Sequence, residues 1–317
     1  MPFTSPTVAD IVVATLVEAG ARRCYGIVGD TINHFTDSVR RSALDWVHVR
    51  HEEVGALAAG GEAYMTGELA VCAGTAGPGS LHFVNGMFES HRNGAPVVLI
   101  ASNIERAQTG LSFPQEVDQA QIYRQYSVFC ESISDPAQAR RITVAAAQAA
   151  LARNGVAIIV VNGDMFAQRP DDGPAWRGMR AAPRLLPSTD ELSALAAEIA
   201  KARRICISAG IGARGGMAAV KALAEKIGAP IAHTTRAKEF VEPDNACNVG
   251  MTGILGTPAG FHATQHCDLL LALGTDFAYT QFWPEKARIV QIDSDATHLG
   301  RRAPVDLGLV GHVGDTI

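Results

Sequence analysis

Short apolar runs that alternate with amphipathic segments constrain this chain more than any other feature. Runs at residues 23–28, 46–50, 69–73, 96–102 and 156–162 have the length and near-continuous apolar character of strands buried on both faces. The stretches between them carry helical periodicity, and such alternation builds a parallel sheet covered by helices on both sides. The design recurs in the second half, with apolar runs at 204–209, 230–234, 269–274, 289–293 and 307–310. The expectation is an α/β protein of two doubly wound parallel-sheet domains. The length of 317 residues agrees, because a single core rarely grows past roughly 250–300 residues before splitting. Residues 167–187 hold four prolines and little periodicity, which marks a linker. The domains are therefore expected at 1–168 and 188–317, joined by 169–187.

A formal net charge of -5 with no block of like charges gives no footing for nucleic acid. The six cysteines (Cys24, Cys72, Cys130, Cys206, Cys247 and Cys267) form no C-x-x-C pair, and several sit in strand-like runs where a thiol acts as a small hydrophobe. A reducing cytoplasm fits this usage, or a membrane-peripheral location for a full-length form. The apolar stretch 8–17 is interrupted by Asp10 and follows no basic segment, so it reads as an amphipathic helix rather than a signal peptide. No apolar run has the length of a membrane span.

Three motifs could carry chemistry. His51-Glu52-Glu53 follows a strand-like run and opens the helical stretch 54–65, which places the acids near the positive end of a helix dipole. Taken alone this is an ordinary dipole complement. It is not a zincin motif, since Gly55 stands where the second histidine belongs. The turn Gly74-Thr75-Ala76-Gly77-Pro78-Gly79 opens a helix expected to run to about residue 88, and it lacks the Gly-Lys-Ser/Thr ending of a triphosphate loop. Gly210-x-Gly212-x-x-Gly215 lies between a strand and the helix 217–227, the context of a dinucleotide fingerprint. The next strand ends in His233-Thr234-Thr235-Arg236, with no acid for a ribose hydroxyl, so a nicotinamide dehydrogenase is disfavoured. No cluster has metal-ligand spacing and no Gly-x-Ser-x-Gly elbow is present. His91 and His262 are lone histidines that read as satisfied polar residues.

Arg50-His51-Glu52-Glu53, Leu69-Ala70-Val71-Cys72-Ala73-Gly74, Gly77-Pro78-Gly79, Asn85-Gly86 and His91-Arg92-Asn93 form one ordered series. That series resembles the pyrimidine-binding domain of thiamine diphosphate enzymes, most closely pyruvate oxidase and the quinone-linked pyruvate dehydrogenase. Arg236-Ala237-Lys238-Glu239, Val249-Gly250-Met251-Thr252-Gly253, Leu273-Gly274-Thr275-Asp276-Phe277 and Gln291-Ile292-Asp293 are similar to the Rossmann-like, FAD-binding central domain of that group. The resemblance spans essentially the whole chain.

The resemblance implies that Glu52 hydrogen-bonds the aminopyrimidine ring of thiamine diphosphate and favours the imino tautomer that removes the thiazolium proton. It places Val28, Thr75, Gly77, Pro78 and Asn85 on the pyrimidine side, and His91 and Gln115 near the substrate, pyruvate or a related 2-oxo acid. For FAD it implies Gly210, Arg236, Thr252, Gly253, Ile254, Thr275, Asp276, Phe277 and Asp293. A quinone is the candidate electron acceptor, and a homo-oligomer, dimer or tetramer, is expected. Pro114 stands where related oxidases usually have an aromatic residue. The Gly-Asp-Gly motif with which the family holds the diphosphate and Mg²⁺ in a third domain is missing, since Gly29-Asp30-Thr31, Gly163-Asp164-Met165 and Gly314-Asp315-Thr316 each differ at the third residue. Together with the helix-start character of residues 314–317, this leads to the expectation of a chain without its C-terminal domain, holding no metal itself and catalytically incomplete alone. Oxidative decarboxylation of pyruvate to acetate or an acetyl product leads. An acetolactate synthase or non-oxidative 2-oxo-acid decarboxylase, and a non-catalytic subunit of the same fold, are the alternatives.

Overall fold

Six parallel strands form each of two sheets in the computed structural model, which describes residues 5–171, 176–179 and 183–317. The chain divides into two compact units, Met1–Ala182 and Pro183–Ile317. Residues 172–175 and 180–182 of the expected linker lie outside the described residues.

The first unit runs α1 (Val8–Glu18), β1 (Arg23–Gly26), α2 (Asn33–Arg40), β2 (Asp45–His48), α3 (Glu52–Thr66), β3 (Ala70–Gly74), α4 (Pro78–Leu81), α5 (Val84–Arg92), β4 (Val97–Asn103), α6 (Gln119–Tyr123), β5 (Phe129–Ile133), α7 (Ala139–Arg153) and β6 (Val156–Asn162). The second runs α8 (Thr189–Lys201), β7 (Ile205–Ala209), α9 (Met217–Ile227), β8 (Ile231–His233), α10 (Lys238–Val241), β9 (Asn248–Met251), α11 (Pro258–His266), β10 (Leu269–Leu273), β11 (Arg288–Asp293), β12 (Leu307–Val310) and α12 (Val313–Thr316). Strand order is β2-β1-β3-β4-β6-β5 in the first sheet and β12-β11-β10-β7-β8-β9 in the second. The second order is that of dinucleotide-binding folds, and the first is the flavodoxin-like order with one more edge strand. Each sheet has a point where strand order reverses, β1/β3 and β7/β10. The crevice outside the carboxyl ends of the strands at such a point is where doubly wound folds bind ligands.

The central strands explain why the apolar runs were legible. All five residues of β3 and of β10 are buried, because helices cover both faces. On one face of the first sheet Val8, Val12 and Leu16 of α1 pack with Ile142, Ala146 and Ala150 of α7; on the other, Ala56, Ala59 and Ala63 of α3 pack with Phe83 and Met87. Capping boxes at Thr7/Asp10 and Ser188/Glu191 fix the starts of α1 and α8.

Two strands, β5 and β9, differ from the expectation, and both are sheet edges. A strand covered on one side only needs no continuous apolar run: Glu131 and Ser132 of β5 are exposed, and no residue of β9 is fully buried. The helix expected from the 74–79 turn to about residue 88 is instead two helices. The Ser80 carbonyl accepts the Phe83 N–H in a three-residue step and also the Tyr123 hydroxyl, which ends α4 before α5 begins. Among the described residues no helix is long and apolar enough to cross a membrane.

Candidate functional site

Glu52 is the first residue of α3. The helix starts there because His51, in extended backbone, caps it, its Nδ1 accepting the Glu53 N–H at 3.3 Å. The Glu52 side chain is only 8% exposed, a position an unpaired carboxylate resists. Its Oε2 lies 2.9 Å from Nδ1 of His82, and with the carboxylate ionised that ring nitrogen carries the proton and donates. The His82 side chain is 49% exposed, and its ring stacks on that of His51 with centroids 4.7 Å apart and planes 23° from parallel. Close packing of α3 on α5 holds this pair. A Cβ at Gly86 would lie 2.4 Å from the Cβ of Ala56, so the two helices approach as only glycine allows.

The 74–79 turn runs alongside. Gly77 adopts φ +65°, and a Cβ there would lie 2.8 Å from the Cα of Gln115. Pro78 takes the first position of α4, where its missing N–H costs nothing, and a Cβ at Gly79 would be 3.5 Å from Glu52 Oε1. A polar network anchors the turn to the end of β1. Thr75 Oγ1 donates to Asp30 at 2.8 Å and lies 2.9 Å from Thr31 Oγ1, which in turn accepts the Ala76 N–H at 2.9 Å and the Ser102 hydroxyl at 2.8 Å. The hydrogen bond from Thr75, joined by others from the Thr31 backbone and the Gln115 side chain and opposed by burial, holds the Asp30 carboxyl below its ordinary range.

Of the residues named from the sequence, Glu52, Val28, Thr75, Gly77, Pro78 and Gln115 gather at the β1/β3 reversal. Val28, two residues past β1, is 53% exposed, and Gln115 Nε2 reaches the Ala76 carbonyl at 3.4 Å. Asn85 instead holds Glu53, donating at 2.7 Å. His91 is not brought to the site. It sits in the last turn of α5, where a Cβ at Gly155, the residue before β6, would be 3.4 Å from its Nδ1; this is the amino end of the sheet, opposite Glu52. Burial, helped by Arg92, pushes the His91 pKa down. Sequence reasoning missed His82, Asp30, Thr31 and Ser102. The position of His82 four residues after Pro78 was the available signal, since it falls one helical turn beyond the glycine turn.

In the second unit the named residues lie at or past the carboxyl ends of β7 to β11, Asp293 being the last residue of β11. A Cβ at Gly210 would be 2.4 Å from the Gly274 carbonyl, so this glycine is required where the turns after β7 and β10 touch. Thr252 is buried and its Oγ1 has no hydrogen-bond partner, while the Phe277 ring covers Gly253. Ile254 and Arg236 are exposed, and the buried Thr275 offers its carbonyl to Gln291 at 3.1 Å. Asp276 is paired with Arg301 and, at 3.1 Å, with Arg302. Asp293 Oδ1 meets His298 Nδ1 at 3.1 Å and the Asp295 N–H at 2.9 Å.

Residues 6–122 match the N-terminal TPP binding domain of thiamine pyrophosphate enzymes, and residues 192–317 match the central domain of the same enzymes. The chain belongs to the thiamine pyrophosphate enzyme family. An uncharacterized 42.6 kDa protein of Pseudomonas amyloderamosa is 45% identical over 98% of this chain and 79% of its own length. A Bacillus subtilis protein named for thiamine pyrophosphate is 34% identical over 93% of the chain, and the pyruvate oxidase of Lactiplantibacillus plantarum 28% over 96%. The chain spans about half the length of these last two, 52% of each.

For a thiamine pyrophosphate enzyme, the first crevice fits the cofactor's aminopyrimidine: a buried carboxylate with Oε2 engaged by one imidazole, an exposed apolar Val28 and a glycine turn beside both. The second fits a polar ligand at the unpartnered hydroxyl of Thr252. Its acids, in contrast, already have basic or backbone partners.

Proposed function

We propose that this chain supplies the cofactor-activating carboxylate and a flavin-binding domain to an enzyme that oxidatively decarboxylates pyruvate or a related 2-oxo acid. The observation that carries the reading is Glu52, buried at the reversal of the first sheet with His82 on one oxygen. Thiamine diphosphate, the same cofactor as thiamine pyrophosphate, supplies a nucleophilic thiazolium carbon and an electron sink when bound. Glu52 shares a proton with the aminopyrimidine through a carboxylate oxygen, a task suited to a buried carboxyl group. Val28 offers apolar contact, the backbone at Gly77, Pro78 and Gly79 allows close approach, and Gln115 presents its amide to the substrate side. In the second unit Gly210, Arg236, Thr252, Gly253, Ile254, Thr275 and Phe277 receive FAD, and Thr252 Oγ1 gains the partner it lacks. The diphosphate and Mg²⁺ are assigned to a further domain outside this chain, a quinone to the role of acceptor, and the working form to a homo-oligomer.

The experiment is anaerobic addition of pyruvate to the complete flavin-loaded protein. Bleaching of the flavin absorbance is expected, and a flavin that stays oxidised while carbon dioxide is released refutes the oxidative reading. In that event the reading becomes an acetolactate synthase or other non-oxidative 2-oxo-acid enzyme whose second unit binds flavin without using it or binds none.

A further inference from the structure

Glu52 is sealed while its partner is not. The carboxylate side chain is 8% exposed and that of His82 is 49% exposed, and the two meet at 2.9 Å. A carboxylate that exchanges a proton with a bound ring needs a path to water once that ring covers it. We propose that His82 is the proton relay between Glu52 and solvent, and that His51 positions it.

Each transfer balances. The Nδ1–H bond of His82 breaks as the Oε2–H bond of Glu52 forms, while a proton from water is taken up at His82 Nε2; the reverse sequence returns it. No oxidant or further reactant is involved. His51 cannot turn freely, because its Nδ1 is held by the Glu53 N–H at 3.3 Å. Its ring therefore offers a fixed face, and stacking at 4.7 Å keeps the His82 imidazole aimed at Glu52. The remaining acid beside the pair, Glu53, is occupied by the Asn85 amide at 2.7 Å and leaves His82 to Glu52. His82 acts through Glu52 and His51 through His82. The proposal rests on the reading that Glu52 activates thiamine diphosphate.

Two measurements test it. The first needs no cofactor: nitrogen-15 NMR of the histidine-labelled chain, with the His82 signal assigned by its loss in His82→Gln. Wild type is expected to show His82 protonated at Nδ1, Glu52→Ala to shift the proton toward Nε2, and His51→Asn, which keeps a capping oxygen, to give a mixture. A His82 signal identical in wild type and Glu52→Ala overturns the relay.

The second follows hydrogen–deuterium exchange at the thiazolium carbon of thiamine diphosphate bound to the complete protein. His82→Ala is expected to slow exchange roughly 10- to 100-fold, and added imidazole to restore most of it. An unchanged rate, or a slowed rate that imidazole does not lift, overturns the relay. If the wild-type protein binds no thiamine diphosphate, the functional reading fails and takes the relay with it. That outcome is distinguishable, because the NMR result then still shows the Glu52–His82 bond.

Discussion

At the reversal of the first sheet the buried acid, Glu52, has one imidazole partner and a ring of hydroxyls nearby. At the reversal of the second sheet Asp276 is held by two guanidinium groups, those of Arg301 and Arg302, and glycines press turn against turn, while Asp293 at the end of β11 has an imidazole partner, His298, as Glu52 does. The same topology thus carries two different sites. An imidazole partner can take up or give a proton at ordinary pH and a guanidinium cannot, so Glu52 has a proton-passing neighbour that Asp276 lacks. Under the proposed function the thiamine diphosphate chemistry is assigned to the first unit and flavin recognition to the second.

The largest test of that division is Gly86→Leu. The new side chain cannot fit where a Cβ alone would lie 2.4 Å from Ala56, and the first unit should lose about 3 kcal/mol or more. Urea denaturation followed by hydrogen exchange should show that loss in the first unit with the second untouched; equal loosening of both breaks the comparison. Gly210→Ala is the counterpart, with a Cβ 2.4 Å from the Gly274 carbonyl, and should cost the second unit about 1–3 kcal/mol while leaving thiamine diphosphate affinity unchanged.

Thr252→Val should raise the stability of flavin-free protein by about 1 kcal/mol, because it removes an unpaired buried hydroxyl, and should weaken flavin binding. A destabilised melt with unchanged flavin content contradicts the assignment of this hydroxyl to a ligand. The smallest effect concerns acid. Asp30 titrates lower in the folded chain than in the unfolded one, so its contribution is present above the unfolded value of about 3.9 and is lost as pH falls through the folded value. The group is exposed, which limits the contribution to below about 1 kcal/mol. Thr75→Val, which removes the leading hydrogen bond, should reduce the difference between denaturation midpoints at pH 6 and about pH 3. An unchanged difference contradicts the network.

Strands buried on both faces announced themselves, since β3 and β10 need apolar residues at every position. The edges β5 and β9 did not, because a half-solvated strand tolerates Glu131 or Asn248. The cofactor-switch role of Glu52 came from the resemblance alone and stands as a proposal; as a first-turn acid Glu52 was legible. Its burial and its His82 partner were not, because both depend on how closely α5 approaches α3 at Gly86 and Ala56. His91 misled for the related reason that its spacing along α5 carries it to the far end of the sheet. The break between α4 and α5 was equally hidden, resting on a hydroxyl from Tyr123, more than forty residues on.

The most direct measurement is the rate at which the thiazolium proton of bound thiamine diphosphate exchanges with deuterium in the complete protein, compared between wild type and Glu52→Gln. The account predicts a fall of roughly 10²- to 10⁴-fold with cofactor still bound. Equal rates would contradict the claim that Glu52 activates the cofactor.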